Sequence, residues 1–71
     1  MTLTVELEHA SSGEWIADVM ELPGCMVIEA SKAEAPARVE ALAFRVLADR
    51  PEQGEARPEQ MAVSFVTTAA A

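Results

Sequence analysis

The sequence is poor in cysteine, in aromatic residues and in long apolar stretches. It contains one cysteine, one tryptophan, two phenylalanines and no tyrosine among 71 residues. A single cysteine cannot form an internal disulfide, and one cysteine with one histidine cannot supply the roughly four ligands of a zinc site. No apolar stretch approaches the roughly 20 residues that span a bilayer, and no basic segment followed by an apolar one marks a signal peptide. These absences predict a cytoplasmic protein with no metal ligands and no cofactor.

Positive charge is absent from the first 31 residues, which contain half of the acidic side chains. The net charge of −7 therefore falls almost wholly on this part of the chain. Direct nucleic-acid binding needs a basic surface, so the sequence predicts no nucleic-acid contact. The charge suits a basic protein partner, although it would also serve to keep a small protein soluble. The acidic residues concerned are Glu6, Glu8, Glu14, Asp18, Glu21 and Glu29.

The length predicts one small domain that spans residues 1–71. A domain of this size buries only about 60% of the surface that its unfolded chain exposes, so its core is marginal. Half of the residues are apolar, but many of these are alanines, which bury little area each. Self-association would supply additional buried surface, and we therefore expect a homo-oligomer.

Alternating apolar and polar residues predict three strands in the first 30 residues, at about 2–9, 14–20 and 25–30. In the first strand Leu3, Val5 and Leu7 share one face. In the second strand Asp18 marks the outer face, with Ile16 and Met20 beside it. In the third strand Glu29 suggests that Cys25 and Val27 lie on the outer face and that Met26, Ile28 and Ala30 point inward. The three strands would form an antiparallel meander.

Two turns connect these strands. Gly13 can adopt the left-handed conformation that a hairpin loop requires. Pro23 and Gly24 at the centre of a turn favour type II, because proline fixes φ at the first central position and glycine accepts a positive φ at the second. The sequence therefore predicts a tight structural turn at Glu21–Cys25.

A helix is predicted at about 32–49 and a fourth strand at about 61–67. Ser31 and Glu34 have the spacing of a capping box. Pro36 would either kink the first turn or mark the true start of the helix, and the sequence does not decide between them. After a polar loop that contains Gly54 and Pro58, alternation returns, and residues 68–71 are expected to form a frayed tail. The residues of the helix expected to face the sheet are Val39, Leu42, Ala43 and Val46.

The predicted fold class is α+β, with element order β-β-β-α-β. One helix covers only one face of a sheet, and a right-handed crossover from the third strand would carry the fourth to lie parallel beside the first. The resulting strand order is 3-2-1-4. The outer face would then carry more apolar side chains than a solvated face needs, which is typical of an interaction surface.

The order of these features resembles the HicB-like antitoxin family over residues 2–47. The matching segments are Leu3–Glu8, Gly13–Val19, Glu21–Cys25, Ala30–Ser31 and Ala33–Leu42, while Met20 and Pro36 depart from the family pattern. The resemblance implies a partial ribonuclease-H-like fold and a small basic HicA-type RNase toxin as partner. Family members often carry a C-terminal DNA-binding segment, which we do not expect in a chain that ends after its fourth strand.

No catalytic residue is predicted, and we expect that the protein is not an enzyme. The acids Glu6, Glu8 and Asp18 would have to converge with others to hold the metal pair of a nuclease, and the chain is too short for the rest of such a fold. The alternative to an antitoxin is a free-standing homo-oligomeric scaffold or small-ligand-binding domain. The residues predicted to bind a partner are Glu6, Glu8, Ile16, Asp18, Met20, Glu21, Val27 and Glu29.

His9, Trp15 and Cys25 each have an ordinary structural interpretation. His9 lies at a strand end without a serine or cysteine partner at a recognisable spacing, so it is expected on the surface. Trp15 is expected in the core under the helix. Cys25 is expected to be a half-buried structural thiol.

Overall fold

The computed structural model describes residues 1–49 and 62–69, which form one mixed sheet and one helix. The elements are β1 (Thr2–His9), β2 (Trp15–Val19), β3 (Met26–Glu29), α1 (Glu34–Ala48) and β4 (Ser64–Ala69). The strand order is β3-β2-β1-β4, with β4 parallel to β1 and the other neighbours antiparallel. This confirms the predicted α+β fold and its strand order. Met61 and the loop that contains Gly54 and Pro58 lie outside the described residues.

The core lies between the sheet and α1. Apart from His9 and Trp15 at the hairpin end, alternate residues of β1 and β2 point toward the helix and have at most 7% of their surface exposed. The cross-strand pairs Val5↔Val19 and Leu7↔Ala17 align these side chains on one face, since directly opposed residues of antiparallel strands share a face. We call the helix-covered side the inner face and the opposite side the outer face. The buried residues are Leu3, Val5, Leu7, Ala17, Val19, Leu22, Cys25, Ala35, Val39, Ala43 and Leu47.

Both predicted turns are present. Gly13 has a φ of 94° and donates its N–H to the Ala10 carbonyl (2.9 Å), while the Ala10 N–H bonds Glu14 (2.8 Å). This is a three-residue hairpin loop that ends in a left-handed residue. At the second turn Gly24 has a φ of 86°, and the Cys25 N–H bonds the Leu22 carbonyl (2.9 Å), as a type II turn requires.

The predicted faces of β3 are wrong. The pairs Ala17↔Val27 and Asp18↔Met26 place Val27 on the inner face and Met26 on the outer face. Ile28 shares the outer face and is 51% exposed, whereas Cys25 is 2% exposed beneath the helix. The charge of Glu29 is misleading as a marker of the outer face, because Glu29 lies opposite Trp15 on the inner face.

The pairing register places Glu29 on the inner face at the end of β3, where it lies near a cation of the helix. The Nε of Arg38 lies 3.9 Å from Oε1 of Glu29. Trp15 is directly opposite Glu29 and also belongs to the inner face. A carboxylate at the rim of a sheet therefore need not indicate the solvated side.

The buried stripe of α1 differs from the expected one. Ala35, Val39, Ala43 and Leu47 recur every four residues and are buried, whereas Leu42 and Val46 are only half-buried at the flank. The small alanines let this row approach the sheet, and α1 packs chiefly on β2 and β3. Phe44 remains 45% exposed and meets Phe65 of β4 edge-on, with ring centroids 5.6 Å apart.

The helix begins at Glu34, slightly later than expected, and Ser31 caps the turn before it. The Ser31 Oγ accepts the Glu34 N–H (3.1 Å), and the Ser31 carbonyl accepts the Ala35 N–H (3.3 Å). Pro36 is the third residue of α1, in the first turn, where N–H groups have no partner within the helix. Its missing N–H therefore costs little there, which answers the question that the sequence left open. No helix in the described residues is long and apolar enough to cross a membrane.

The fourth strand begins later than predicted, at Ser64, and ends later, at Ala69. Thr68 and Ala69, expected in a frayed tail, pair with Glu6 and Leu7 of β1. The Ser64 N–H also bonds the Met1 carbonyl (2.9 Å) at the start of the ladder. Pairing with β1 therefore continues beyond the alternating segment of β4.

The burial difference along α1 gives a stability prediction. Leu47→Ala should lower the free energy of unfolding by about 2–5 kcal/mol, because it empties a buried site. Leu42→Ala removes the same atoms from a half-buried flank and should cost clearly less. Urea unfolding of both variants and the wild type measures the difference, and an equal loss at the two positions would contradict the observed helix orientation.

Candidate partner-binding face

The outer face is not covered by any described element. Its side chains come from alternate positions of the four strands, and Met20 continues the series just beyond β2, where its N–H bonds the Thr4 carbonyl (2.9 Å). This face is a mixed surface in which apolar and acidic side chains lie next to one another. Its members are Thr2, Thr4, Glu6, Glu8, Ile16, Asp18, Met20, Met26, Ile28, Ser64, Val66 and Thr68.

The acidic part of the outer face lies on β1 and β2. Glu6 is directly opposite Asp18, and Glu8 is directly opposite Ile16. Like charges in opposed positions destabilise a strand pair. The ion pairs found among residues 1–49 and 62–69 both involve Arg38, so no described cation relieves this repulsion. A surface that only had to be soluble would not need to place two carboxylates face to face.

The apolar part lies next to it on β2 and β3. Ile16 pairs with Ile28, and Met26 lies opposite Asp18. Met20, Met26 and Ile28 are each about half exposed, at 53%, 48% and 51%. Methionine side chains adapt their shape to a partner, and exposed clusters of this kind are typical of interaction surfaces. The combination can bury apolar area while it presents negative charge.

Five of the eight predicted partner-binding residues share the outer face. They are Glu6, Glu8, Ile16, Asp18 and Met20. Val27 and Glu29 lie on the inner face instead, so their predicted outer position is wrong, and Met26 and Ile28 occupy the outer positions of β3. The signal that could have shown this is the turn, because a turn of fixed length sets the strand register and Val19 bonds Cys25 across it (2.9 Å).

Glu21 has an internal structural contact. Its carboxylate accepts the Thr4 backbone N–H at Oε1 (2.7 Å) and the Thr4 hydroxyl at Oε2 (2.9 Å). The Thr4 N–H points to a position beyond the end of β2, where no strand carbonyl is available. The Glu21 carboxylate accepts this hydrogen bond in place of a backbone carbonyl. The backbone hydrogen bond from Thr4, and then its hydroxyl bond, lower the pKa of Glu21 below its ordinary value of 4.5.

Trp15 closes the end of the core at the hairpin. It is half-buried on the inner face, with the His9 ring stacked on it at 4.0 Å and an interplanar angle of 1°. The Lys32 Nζ lies 5.4 Å from the Trp15 ring centroid, within the range of a cation–π contact. Trp15 therefore belongs with the core, as expected, and His9 is exposed beside it.

Cys25 is more buried than expected and lies against the helix backbone. Its Sγ lies 3.9 Å from the Val39 carbonyl. Burial, and to a smaller extent the charge of Asp18, raises the pKa of the Cys25 thiol above its ordinary value of 9.0. A buried protonated thiol is a poor nucleophile, so Cys25 contributes packing.

The residues that the structure describes contain no pocket and no group of three or more potential metal ligands. Comparisons with protein-family models, with curated proteins and with solved structures found no match. The geometry of the outer face is therefore the main structural guide to function.

The contact between Glu21 and Thr4 predicts a pH dependence of stability. Because the pKa of Glu21 is lowered in the folded state, its contribution is fully present above about 4.5 and is lost as the pH falls through the lower folded value. Thermal melts between neutral and strongly acidic pH should show that Glu21→Gln has lost this part of the acid sensitivity. Glu14→Gln is the control, and identical pH profiles for the wild type and Glu21→Gln would contradict the role of the carboxylate.

The opposed carboxylates predict a stabilising substitution. Glu6→Lys replaces a like-charge pair with an opposite-charge pair across β1 and β2, and should raise the free energy of unfolding by about 0.2–1 kcal/mol. Glu8→Lys makes the same charge change opposite Ile16 and should have a smaller effect. Denaturant unfolding at low salt compares the two variants, and a destabilised Glu6→Lys protein would show that the pair does not repel.

Proposed function

We propose that this protein is a HicB-like antitoxin or an antitoxin-derived protein that binds a small basic HicA-type RNase toxin through its outer face. The observation that carries the proposal is the uncovered face itself, on which carboxylates border exposed isoleucine and methionine side chains. The resemblance of residues 2–47 to that family also supports it.

The chemistry of the partner explains why such a face would inhibit it. An enzyme that cleaves RNA needs positive charge to hold phosphates. Glu6, Glu8 and Asp18 present negative charge from adjacent strands, where they could occupy the sites that phosphates would fill. Electrostatic attraction of this kind speeds association and favours basic partners over others.

Apolar contact would make the complex long-lived. Ile16, Met26 and Ile28 lie together beside the carboxylates, and their burial would slow dissociation, which sets most affinity differences between related complexes. Glu21 and Glu29 already contact Thr4 and Arg38, so they contribute less to this surface than the sequence suggested. The partner-binding set therefore centres on β1 and β2 with the outer residues of β3.

The test is a charge reversal that keeps the sheet intact. Glu6→Lys and Asp18→Lys together exchange one like-charge pair for another, so the strands should tolerate the change while the sign of the face reverses. We expect capture of a HicA-like toxin from the same genome to weaken by roughly tenfold or more, chiefly through slower association. Association of the wild type should also slow as salt rises, because exposed charges are screened within about 10 Å at 0.1 M.

A matched control distinguishes the effect of charge on the outer face from the effect of the net charge of the protein. Glu40→Lys with Asp49→Lys makes the same change in net charge on α1 and at its C-terminal end, away from the outer face. Surface kinetics with immobilised, folded and RNA-cleaving toxin should show near wild-type binding for this pair. Equal binding by wild type and both variants would refute the electrostatic mechanism, and no binding by the wild type would refute the proposed function.

The alternative is a free-standing homo-oligomeric scaffold or small-ligand-binding domain. Exposed apolar side chains on the outer face favour a protein partner over a small molecule, because a small ligand needs a concave site. No such concavity occurs in the part of the chain that the structure describes. Of these alternatives, only self-association is supported by a structural feature. That feature is the edge of the sheet along β4, not the outer face.

A further inference from the structure

One edge of the sheet, along β4, is unpaired by any described residue. Sheet edges expose backbone N–H and C=O groups and invite pairing with another strand. β4 has six residues, Ser64–Ala69, and contains no charged residue and no proline. It therefore lacks the side chains with which proteins usually protect an edge.

The opposite edge, along β3, is different. β3 has only four residues, Met26–Glu29, and Glu29 ends it beside Arg38. A short strand with charged side chains at its end is a poor template for another strand. The two edges thus differ in the property that controls pairing, and β4 is the one suited to it.

The backbone directions of β4 show which groups are free. The Ser64 N–H bonds the Met1 carbonyl, so the backbone groups of Ser64 point toward β1. Successive residues of a strand direct their backbone groups to opposite edges. Val66 and Thr68 therefore also bond toward β1, whereas Phe65 and Thr67 direct their N–H and C=O groups to the free edge.

We propose that β4 pairs with β4 of a second copy of this chain, antiparallel and with Val66 on the two-fold axis. In this register Phe65 lies opposite Thr67 of the other copy, and these residues exchange backbone hydrogen bonds. Thr68 lies opposite Ser64 of the other copy on the outer face. Aromatic with β-branched residues and paired hydroxyls are among the favourable cross-strand combinations.

Charge favours this edge over the outer face as the site of self-association. A second copy stacked on the outer face would bring Glu6, Glu8 and Asp18 against identical carboxylates. The β4 edge brings only uncharged residues together. Pairing at the edge also leaves the outer faces of both copies open, so self-association and partner binding do not compete.

Disulfide trapping tests the register. Residues opposed at a non-hydrogen-bonded antiparallel position have Cα atoms about 4.5 Å apart, within the range that a disulfide bridges. Val66→Cys should therefore form covalent dimers rapidly under mild oxidation. Thr68→Cys is the control, because its two copies would lie roughly 13 Å apart along the strands. The native Cys25 is buried. The unsubstituted protein, oxidised in parallel, shows how much cross-linking Cys25 alone produces.

Charge swapping provides a second test, which can detect the dimer even if it is weak. Val66→Lys and Val66→Glu should each be monomeric in sedimentation across the micromolar to millimolar range, because like charges meet on the axis. An equimolar mixture of the two should restore dimers. Thr67→Pro removes an N–H donor of the free edge and leaves the hydrogen bonds between β4 and β1 in place. This variant should also be monomeric, and circular dichroism would confirm that it folds.

The outcomes separate this inference from the proposed function. Rapid cross-linking of Val66→Cys alone, with restored dimers in the mixture, supports β4 pairing whether or not a toxin binds. A strictly monomeric wild type at all concentrations would overturn it, as would equal cross-linking of Val66→Cys and Thr68→Cys. A dimer that survives in Val66→Lys, Val66→Glu and Thr67→Pro would place self-association elsewhere and also overturn it.

Discussion

The whole structure follows from the constraint that a single helix covers one face of a four-stranded sheet. α1 packs on β2 and β3, and the buried side chains of β1 complete the core beneath it. The helix covers neither the outer face nor the free edge of β4. With so small a core, surfaces left uncovered in the monomer are the natural places to bury more area on association. The outer face and the β4 edge, which we propose as binding surfaces, are both left uncovered by this constraint.

The first two strands and both turns could be predicted because local signals agree there. The alternation of Leu3, Val5 and Leu7 matches that of Ala17 and Val19, and the glycines of both turns have the positive φ that the turn types need. The strand order followed from the handedness of the crossover and from the single helix. Alternation and turn type depend on short segments of sequence, and the crossover rule depends only on the order of the elements.

The errors occurred where a distant contact outweighs the local pattern. Met26, Val27 and Ile28 are all apolar and do not alternate, so the face of β3 depended on Glu29, whose partner Arg38 lies on the helix. Thr68 and Ala69 pair with β1 although the alternation of β4 does not extend to them. The helix stripe shifted from Leu42 because Ala35 and Ala43 allow a closer approach along a different row. The alternation pattern within each segment does not reveal these contacts, although the turn before β3 does fix its register.

Under the proposed function, the outer face involves a conflict between stability and binding. The opposed carboxylates of Glu6 and Asp18 act against strand pairing in the isolated protein. A cationic partner would relieve this repulsion, so part of the binding free energy would come from strain that the unbound protein already contains. The same reasoning applies to the exposed Ile28, which gains from burial only in a complex. Proteins commonly retain such costs where function requires them.

The two surfaces can act independently because side chains and backbone groups of a strand point in perpendicular directions. The outer face consists of side chains that stand up from the sheet, whereas the β4 edge offers backbone groups that lie within its plane. A two-fold axis through Val66 would extend the sheet sideways and leave Ile16, Met26 and Ile28 of each copy accessible on the far side of β1. Edge pairing would thus place two acidic faces on one continuous sheet without altering either of them.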